Sequence, residues 1–238
     1  HTKIPKRDWS SDVCSSDLNG TGTALVMEVA RVMFSKQFNF TIRFICFSAE
    51  EQGLVGSNAY VQQVVVPQQH KLKLVLNLDE IGGVRENTTN IVKVERDEDN
   101  NPSGNNAASA RFTDSLASLT RTYSSLQTTI TNAFGTDYVP FENAGFVITG
   151  FYEYIQTPRY HTPSDSLSHV DLHYVKEICK GTVAGVAMFA QLKGQFVSLY
   201  HSPLSTSQDT TQHYPVIVKS TSSSVIDSAR MLYSINSA

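Results

Sequence analysis

Two adjacent glutamates, Glu50 and Glu51, close a β-branched and aromatic run in Phe47-Ser-Ala-Glu-Glu-Gln-Gly53. Carboxylates at the carboxyl end of a buried strand stand where open α/β sheets form their ligand crevice. If the strand's pleat continues through them, their side chains diverge. One can then hold a cation while the other takes a proton from water on that cation. A helix start, where the dipole favours acidic residues, would carry the same dipeptide. Asp79 shifts the balance, because it ends a second apolar run in Asn77-Leu-Asp-Glu-Ile-Gly-Gly83. A turn-forming aspartate before glycines is the alternative there. The third chemical element is the loop Tyr160-His161-Thr162-Pro163-Ser164-Asp165-Ser166, which offers an imidazole in a proline-stiffened turn. Asp165 or Ser164 is placed to cap the helix that follows. His169, His173, His201 and His213 have no such setting and read as surface or packing residues.

These groups need strands and helices to bring them together, and the pattern supplies them. The spacing predicts a helix over Thr21–Phe34, with Leu25, Val29 and Val32–Met33 on one face, and a buried strand over Thr41–Phe47. A helix over Gly53–Val65 and a strand over Leu72–Leu78 follow. A polar loop (97–106) leads to a helix around Ala107–Ser124, a strand over Phe146–Tyr152 and a long helix over Asp171–Leu192. Helices separating strands in this order predict α/β layers. Residues 195–238 are Ser/Thr-rich with two strand-like pieces, Tyr214–Lys219 and Met231–Ile235.

Composition excludes several functions. The 238 residues are 40% hydrophobic and 17% charged, which describes a globular chain with a sizeable core. Nineteen Lys and Arg against 22 Asp and Glu leave no basic excess for a phosphate backbone, so no nucleic acid is expected as partner. No apolar run approaches the length of a membrane span. The three cysteines are too few for a disulfide scaffold, and Cys46 and Cys179 read as small core residues. HExxH, GxSxG, Walker and GxGxxG motifs do not occur.

Taken in order, NGTGTALVMEVARV, TIRFICFSAEEQGLVGSNAY, LNLDEIGG, GTDYVPFENAGF and YHTPSDSL resemble the zinc-dependent aminopeptidases with two co-catalytic metals. Glutamate carboxypeptidase, the transferrin receptor ectodomain and glutaminyl cyclase are relatives of that family. The resemblance covers residues 19–194. It implies a phosphorylase/hydrolase-like fold, a mixed β-sheet sandwiched by helices, with the site at the carboxyl edge of the strands. It further implies Glu50 as general base, Glu51 and His161 as ligands of one zinc and Asp79 as a ligand of the second. Tyr160 corresponds to the residue that supports the tetrahedral intermediate in some relatives. Asp137 matches a block usually written Ser-Asp-His, in which Tyr138 departs from the pattern; both are expected around the pocket, as is Asp165. The implied substrates are peptide or protein N-termini.

The likeness breaks at its start. Where the family has the bridging aspartate before Asn-Gly, this chain has Leu18, and His1 lacks the His-x-Asp context of the upstream ligand. Residues 1–18 instead contain Trp9-Ser-Ser-Asp-Val13 and Cys14-Ser-Ser-Asp-Leu18, a near-repeat that resembles a translated sequencing adapter. The expectation is a non-native segment joined to a peptidase core whose own N-terminus, signal peptide included, is lost. Weak zinc binding and little activity follow for this chain. A glutaminyl cyclase-like transferase and a non-catalytic receptor-like domain or pseudoenzyme are the competing readings. The tail looks like the start of an immunoglobulin-like β module of the sort appended to secreted bacterial enzymes, which points to a secreted or cell-surface protein.

Overall fold

A computed structural model describes residues 19–98, 102–193, 197–201 and 218–222. Helix α1 (Thr21–Met33) buries Leu25, Val29 and Met33, the face that its spacing predicts. Helix α2 (Val55–Tyr60) continues as a π-helical turn through Val65. Strand β1 (Val75–Leu78) ends at Asp79. Strand β2 (Ile91–Arg96), helix α3 (Asn106–Tyr123) and strand β3 (Gln127–Asn132) follow. Helix α4 (Val139–Asn143), strand β4 (Ile148–Glu153) and helix α5 (Leu172–Phe189) complete the α/β part.

The four strands pair in the order β1-β4-β2-β3. β1 runs parallel to β4 and β2 parallel to β3, whereas β2 and β4 are antiparallel, so the sheet is mixed. Every residue of β4 is buried, as expected of a strand flanked on both sides and covered on both faces. One apolar cluster joins Leu25, Val29, Leu116, Phe151 and Ile178; another, containing Val61, Val65, Tyr138, Phe141 and Ile148, packs beneath α2 and α4. Helix α5 is capped by Asp171, whose carboxylate accepts from the backbone N–H of His173 and Tyr174. Asp165 and Ser164, the expected caps, lie in the loop ahead of a separate 3-10 turn (Leu167–His169).

The segment Thr41–Phe47 departs from expectation. It is not a strand, Phe44 is 37% exposed and Cys46 is exposed rather than a core residue. The physical reason is a missing ladder: among the described residues no backbone hydrogen bond reaches it. A β-rich sequence becomes a strand only when a neighbour takes its N–H and C=O groups. Cys179 does pack against the core, on α5.

The tail contributes β5 (Val197–His201) paired antiparallel with β6 (Val218–Ser222). β6 overlaps the expected Tyr214–Lys219 strand at its end, and β5 has no counterpart in the sequence reading. Residues 1–18 and Met231–Ile235, with the readings attached to them, lie outside the described residues.

Helix α1 approaches β1 so closely that a Cβ on Gly22 would stand 2.6 Å from the carbonyl oxygen of Leu78. Backbone on both sides leaves no flexible group to yield. Gly22→Ala is therefore expected to destabilise the fold by about 1–3 kcal/mol, the usual cost of overpacking, read from urea unfolding.

Candidate metal and acid–base site

The carboxyl end of β1 and the loop after residue 47 bring the predicted acids together. Glu50 is half-buried and its carboxyl is pushed up to about 7, first by burial and then by the negative charges of Asp79, Glu51, Asp137 and Glu80. Asp79 is pushed up to about 6, again mainly by burial, although a hydrogen bond from Thr136 offsets part of the effect. Thr136 also accepts from the Asn77 side chain at 3.1 Å, tying the α4 loop to β1. Burial raises Asp137 as well, with a bond to Ser57 opposing it, and its Oδ1 is buried without a hydrogen-bond partner. Crowded, half-desolvated carboxylates of one sign hold protons near neutrality, and an incoming cation relieves their repulsion.

Glu51 meets a different partner, although residues 50 and 51 lie in a bend and turn rather than on a continuing strand. Its two carboxylate oxygens meet the Nε2 of His161 at 2.9 and 2.8 Å, across 110 residues of chain. Tyr160 stands beside the imidazole, ring centroids 4.6 Å apart, and is 40% exposed. Asp165 is buried within the same loop. Tyr138 is fully buried in the cluster under α4, its hydroxyl accepting from the N–H of Phe134.

The backbone is strained where these groups meet. Ala49, Glu80 and His161 adopt φ values of 58°, 43° and 57°. Left-handed non-glycine residues cost of order 1–3 kcal/mol each and cluster where surrounding contacts impose them. At Glu80 those contacts are visible. Its carboxylate accepts from the Tyr152 hydroxyl and from Gln156 Nε2, and its carbonyl accepts from the N–H of Glu153. Together they lock the turn that aims Asp79.

Glu80, Thr136, Asn77, Tyr152 and Glu95 were not singled out by sequence reasoning. Glu95 lies in β2 opposite Gly150, which in turn pairs with Asn77. It is wholly buried, and burial with the charge of Asp79 pushes its carboxyl up to about 8. Only the polar alternation of Asn77, Asp79 and Glu95 along their strands hinted at this row.

Glu50, Asp79 and Glu95 thus all bind protons more tightly folded than unfolded. Their protonation stabilises the fold fully below the ordinary carboxylate range, and that contribution is lost as pH rises through about 6 to 8. In chelator, the urea midpoint at pH 5.5 is expected to exceed that at pH 8.5. An equal or higher midpoint at pH 8.5 contradicts the assignment.

Imidazole and carboxylate are the donors that zinc takes, and Glu51 and His161 already face one another. In kind the donors fit zinc; in number they fall short. Among the described residues no three His, Cys, Asp or Glu side chains converge as a cation cage.

The sequence matches peptidase family M28 over residues 16–186. It is 33% identical over 184 residues to aminopeptidase YwaD of Bacillus subtilis, covering 74% of this chain and 37% of that protein. A 64-residue stretch is 42% identical to leucine aminopeptidase 2 of Trichophyton equinum, covering 27% of this chain and 13% of the fungal protein. Among solved structures, BSAP, a zinc aminopeptidase from B. subtilis, superposes with a TM-score of 0.60 at 27% identity, over 75% of this chain and 42% of that one. LapB from Legionella pneumophila superposes at 0.63 with 27% identity, over 74% and 47%. The chain therefore spans less than half the length of these relatives. The fold, the carboxylate cluster and the matched span converge: this chain belongs to peptidase family M28.

Proposed function

We propose that the protein is a zinc-dependent exopeptidase that removes residues from the free N-termini of peptides, and that this chain carries an incomplete form of its site. The observation that carries the reading is the juxtaposition of a proton-holding Glu50 and Asp79 with the Glu51–His161 pair at one end of the sheet. Family membership and the aminopeptidase relatives support it.

Glu50, half-buried and titrating near neutrality, is suited to take a proton from the attacking water and return it to the leaving amine. Zinc, held by Glu51 and His161 at one position and by Asp79 at the other, would supply a Lewis acid that polarises the scissile carbonyl and acidifies water. Tyr160, whose ring stands beside that of His161, would donate its hydroxyl to the oxyanion. Once deprotonated, Asp137 and its neighbours give the pocket negative charge, which attracts a free α-ammonium group. A hydrogen bond from Thr136 holds Asp79 in place. Export from a bacterial cell is part of the same reading, supported by the Ser/Thr-rich tail with its antiparallel β5–β6 pair. Among the described residues no helix is long and apolar enough to cross a membrane.

The test uses leucine p-nitroanilide, its N-acetylated form and a glutaminyl peptide, each with the purified chain and zinc. Slow release of nitroaniline from the free amine only, stopped by chelator and well below the roughly 1–10³ s⁻¹ of ordinary enzymes, is the expected result. Pyroglutamate formation without amino-acid release would favour the cyclase reading. Turnover at ordinary rates would show that the site is not impaired.

A further inference from the structure

One buried carboxylate joins the two segments that carry Asp79 and His161. Glu153 is the last residue of β4 and is wholly buried. Its Oε2 accepts from the N–H of Gly83 at 2.7 Å, and its Oε1 accepts from the N–H of Thr157 at 2.7 Å. Gly83 closes the turn that begins with Asp79 after β1, and Thr157 opens the approach to Tyr160 and His161. The backbone adds a third tie, since the N–H of Glu153 donates to the carbonyl of Glu80 at 2.8 Å. Backbone and side chain of one residue thus hold the Asp79 turn at Glu80 and at Gly83.

Both ends of this bridge are themselves fixed. Gly83 adopts a φ of 66°, and a Cβ there would stand 2.8 Å from the Tyr174 ring. Beside it, the carbonyl of Gly82 accepts from the N–H of Asp171, the cap of α5, at 2.9 Å. Thr157 is buried, and its carbonyl accepts from the N–H of Tyr160 at 3.3 Å. Its hydroxyl accepts from the N–H of Arg159 at 3.3 Å. That turn leads straight into His161, whose φ of 57° is left-handed. A carboxylate is a planar fork with an acceptor at each tip, so its two bonds fix the separation of the two N–H groups. Segments that carry different donors of one metal site need such a link, because displacing a donor by about 1 Å leaves the site too loose.

We propose that Glu153 is a positioning residue of the peptidase site, its carboxylate fixing the His161 loop against the turn that carries Asp79. This role rests on the reading of Asp79 and His161 as zinc ligands. Glu153 acts through the backbone of Gly83 and Thr157, not on substrate. A carboxylate that merely satisfied two buried N–H groups would affect stability alone.

The experiment uses the full chain and Glu153→Gln, which keeps the shape but turns one acceptor into an N–H donor. Whichever way the amide faces, one arm of the fork is lost. In chelator, amide exchange followed by mass spectrometry is expected to quicken at least tenfold in residues 80–84 or 156–162, and to stay within twofold in α3. Zinc affinity, read by competition with a chromophoric chelator, should fall about tenfold, the scale on which outer partners of a ligand act. In the His161→Ala background the same change should lower it less than twofold, since the loop then delivers no imidazole. Ile178→Val, which loses one methyl group from a fully buried side chain, controls for lost stability and should leave zinc affinity within twofold. In the parent, NMR should show the Gly83 and Thr157 amides slowed at least a hundredfold and exchanging together. Rapid exchange of either amide in the parent overturns the bridge, whether or not the variant folds, and so does unchanged exchange in Glu153→Gln. Unchanged zinc affinity in that variant, an equal loss in Ile178→Val, or a further tenfold loss beside His161→Ala overturns the positioning role and leaves the ligand reading intact. A parent that binds no zinc overturns the ligand reading, and the role with it.

Discussion

Glu50→Gln is expected to lower the zinc-dependent release of nitroaniline by about 10²–10⁴-fold, the contribution of a positioned general base. The rate is to be measured over hours at high protein concentration, since the parent rate is itself low. Zinc affinity should change by less than threefold, because Glu51 and His161 form their pair without Glu50. A third consequence separates a proton-transfer role from a structural one. Glu50 is held protonated up to about 7 by burial and by its acidic neighbours, so above that pH its charge burdens the fold. The amide carries no charge at any pH. In chelator the variant should therefore resist urea better than the parent at pH 8.5 and differ little at pH 5.5. Loss of activity with loss of stability at pH 8.5 would instead mean that Glu50 supports the structure. Activity retained within a few-fold would remove it from the chemistry.

The second large effect concerns His161. Among the described residues it supplies the imidazole nearest any of the candidate acids, and its partner Glu51 lies in a loop distant in sequence. His161→Ala leaves Glu51 without that donor. Zinc affinity, read by competition with a chromophoric chelator, should fall by about 100-fold or more, beyond the roughly 10–100-fold typical of losing an outer partner of a ligand. His161 is largely exposed, with its side chain 53% accessible, so the urea midpoint in chelator should barely move. Thermal stabilisation by zinc would vanish with the affinity, since a ligand stabilises only the state that binds it. An unchanged zinc affinity would place the metal on the Glu50, Asp79 and Asp137 cluster without the histidine. Tyr160→Phe, by contrast, should spare zinc binding, because the ring stands beside the imidazole rather than between it and Glu51.

Much of the candidate site was legible before any coordinates. Glu50 and Glu51 follow a β-rich run, Asp79 ends another, and His161 precedes a proline turn. Such placements are local, and local chemistry is written in residue order. The neighbours that tune these groups are not local. Glu80 is steered by Tyr152 and Gln156, more than seventy positions away, and Thr136 reaches Asn77 across 59. Glu95 acquires its raised affinity for protons only once folding buries it and brings the charge of Asp79 near, and a Cβ on its neighbour Gly150 would stand 3.1 Å from its Oε2.

The same division holds for the architecture. Periodicity located α1, α3 and α5, because an amphipathic helix advertises its buried face every three to four residues. It failed at Thr41–Phe47, where a strongly β-forming sequence remains half-exposed and, among the described residues, without a ladder. Residue order thus settled which groups could do chemistry, since side-chain type and local spacing belong to the chain alone. Tertiary structure decided which of those groups crowd one another, which backbone is strained and which strands pair. Each of those depends on neighbours brought together by folding: burial raises a carboxyl only when apolar surface closes over it, and a strand exists only when another strand lies beside it.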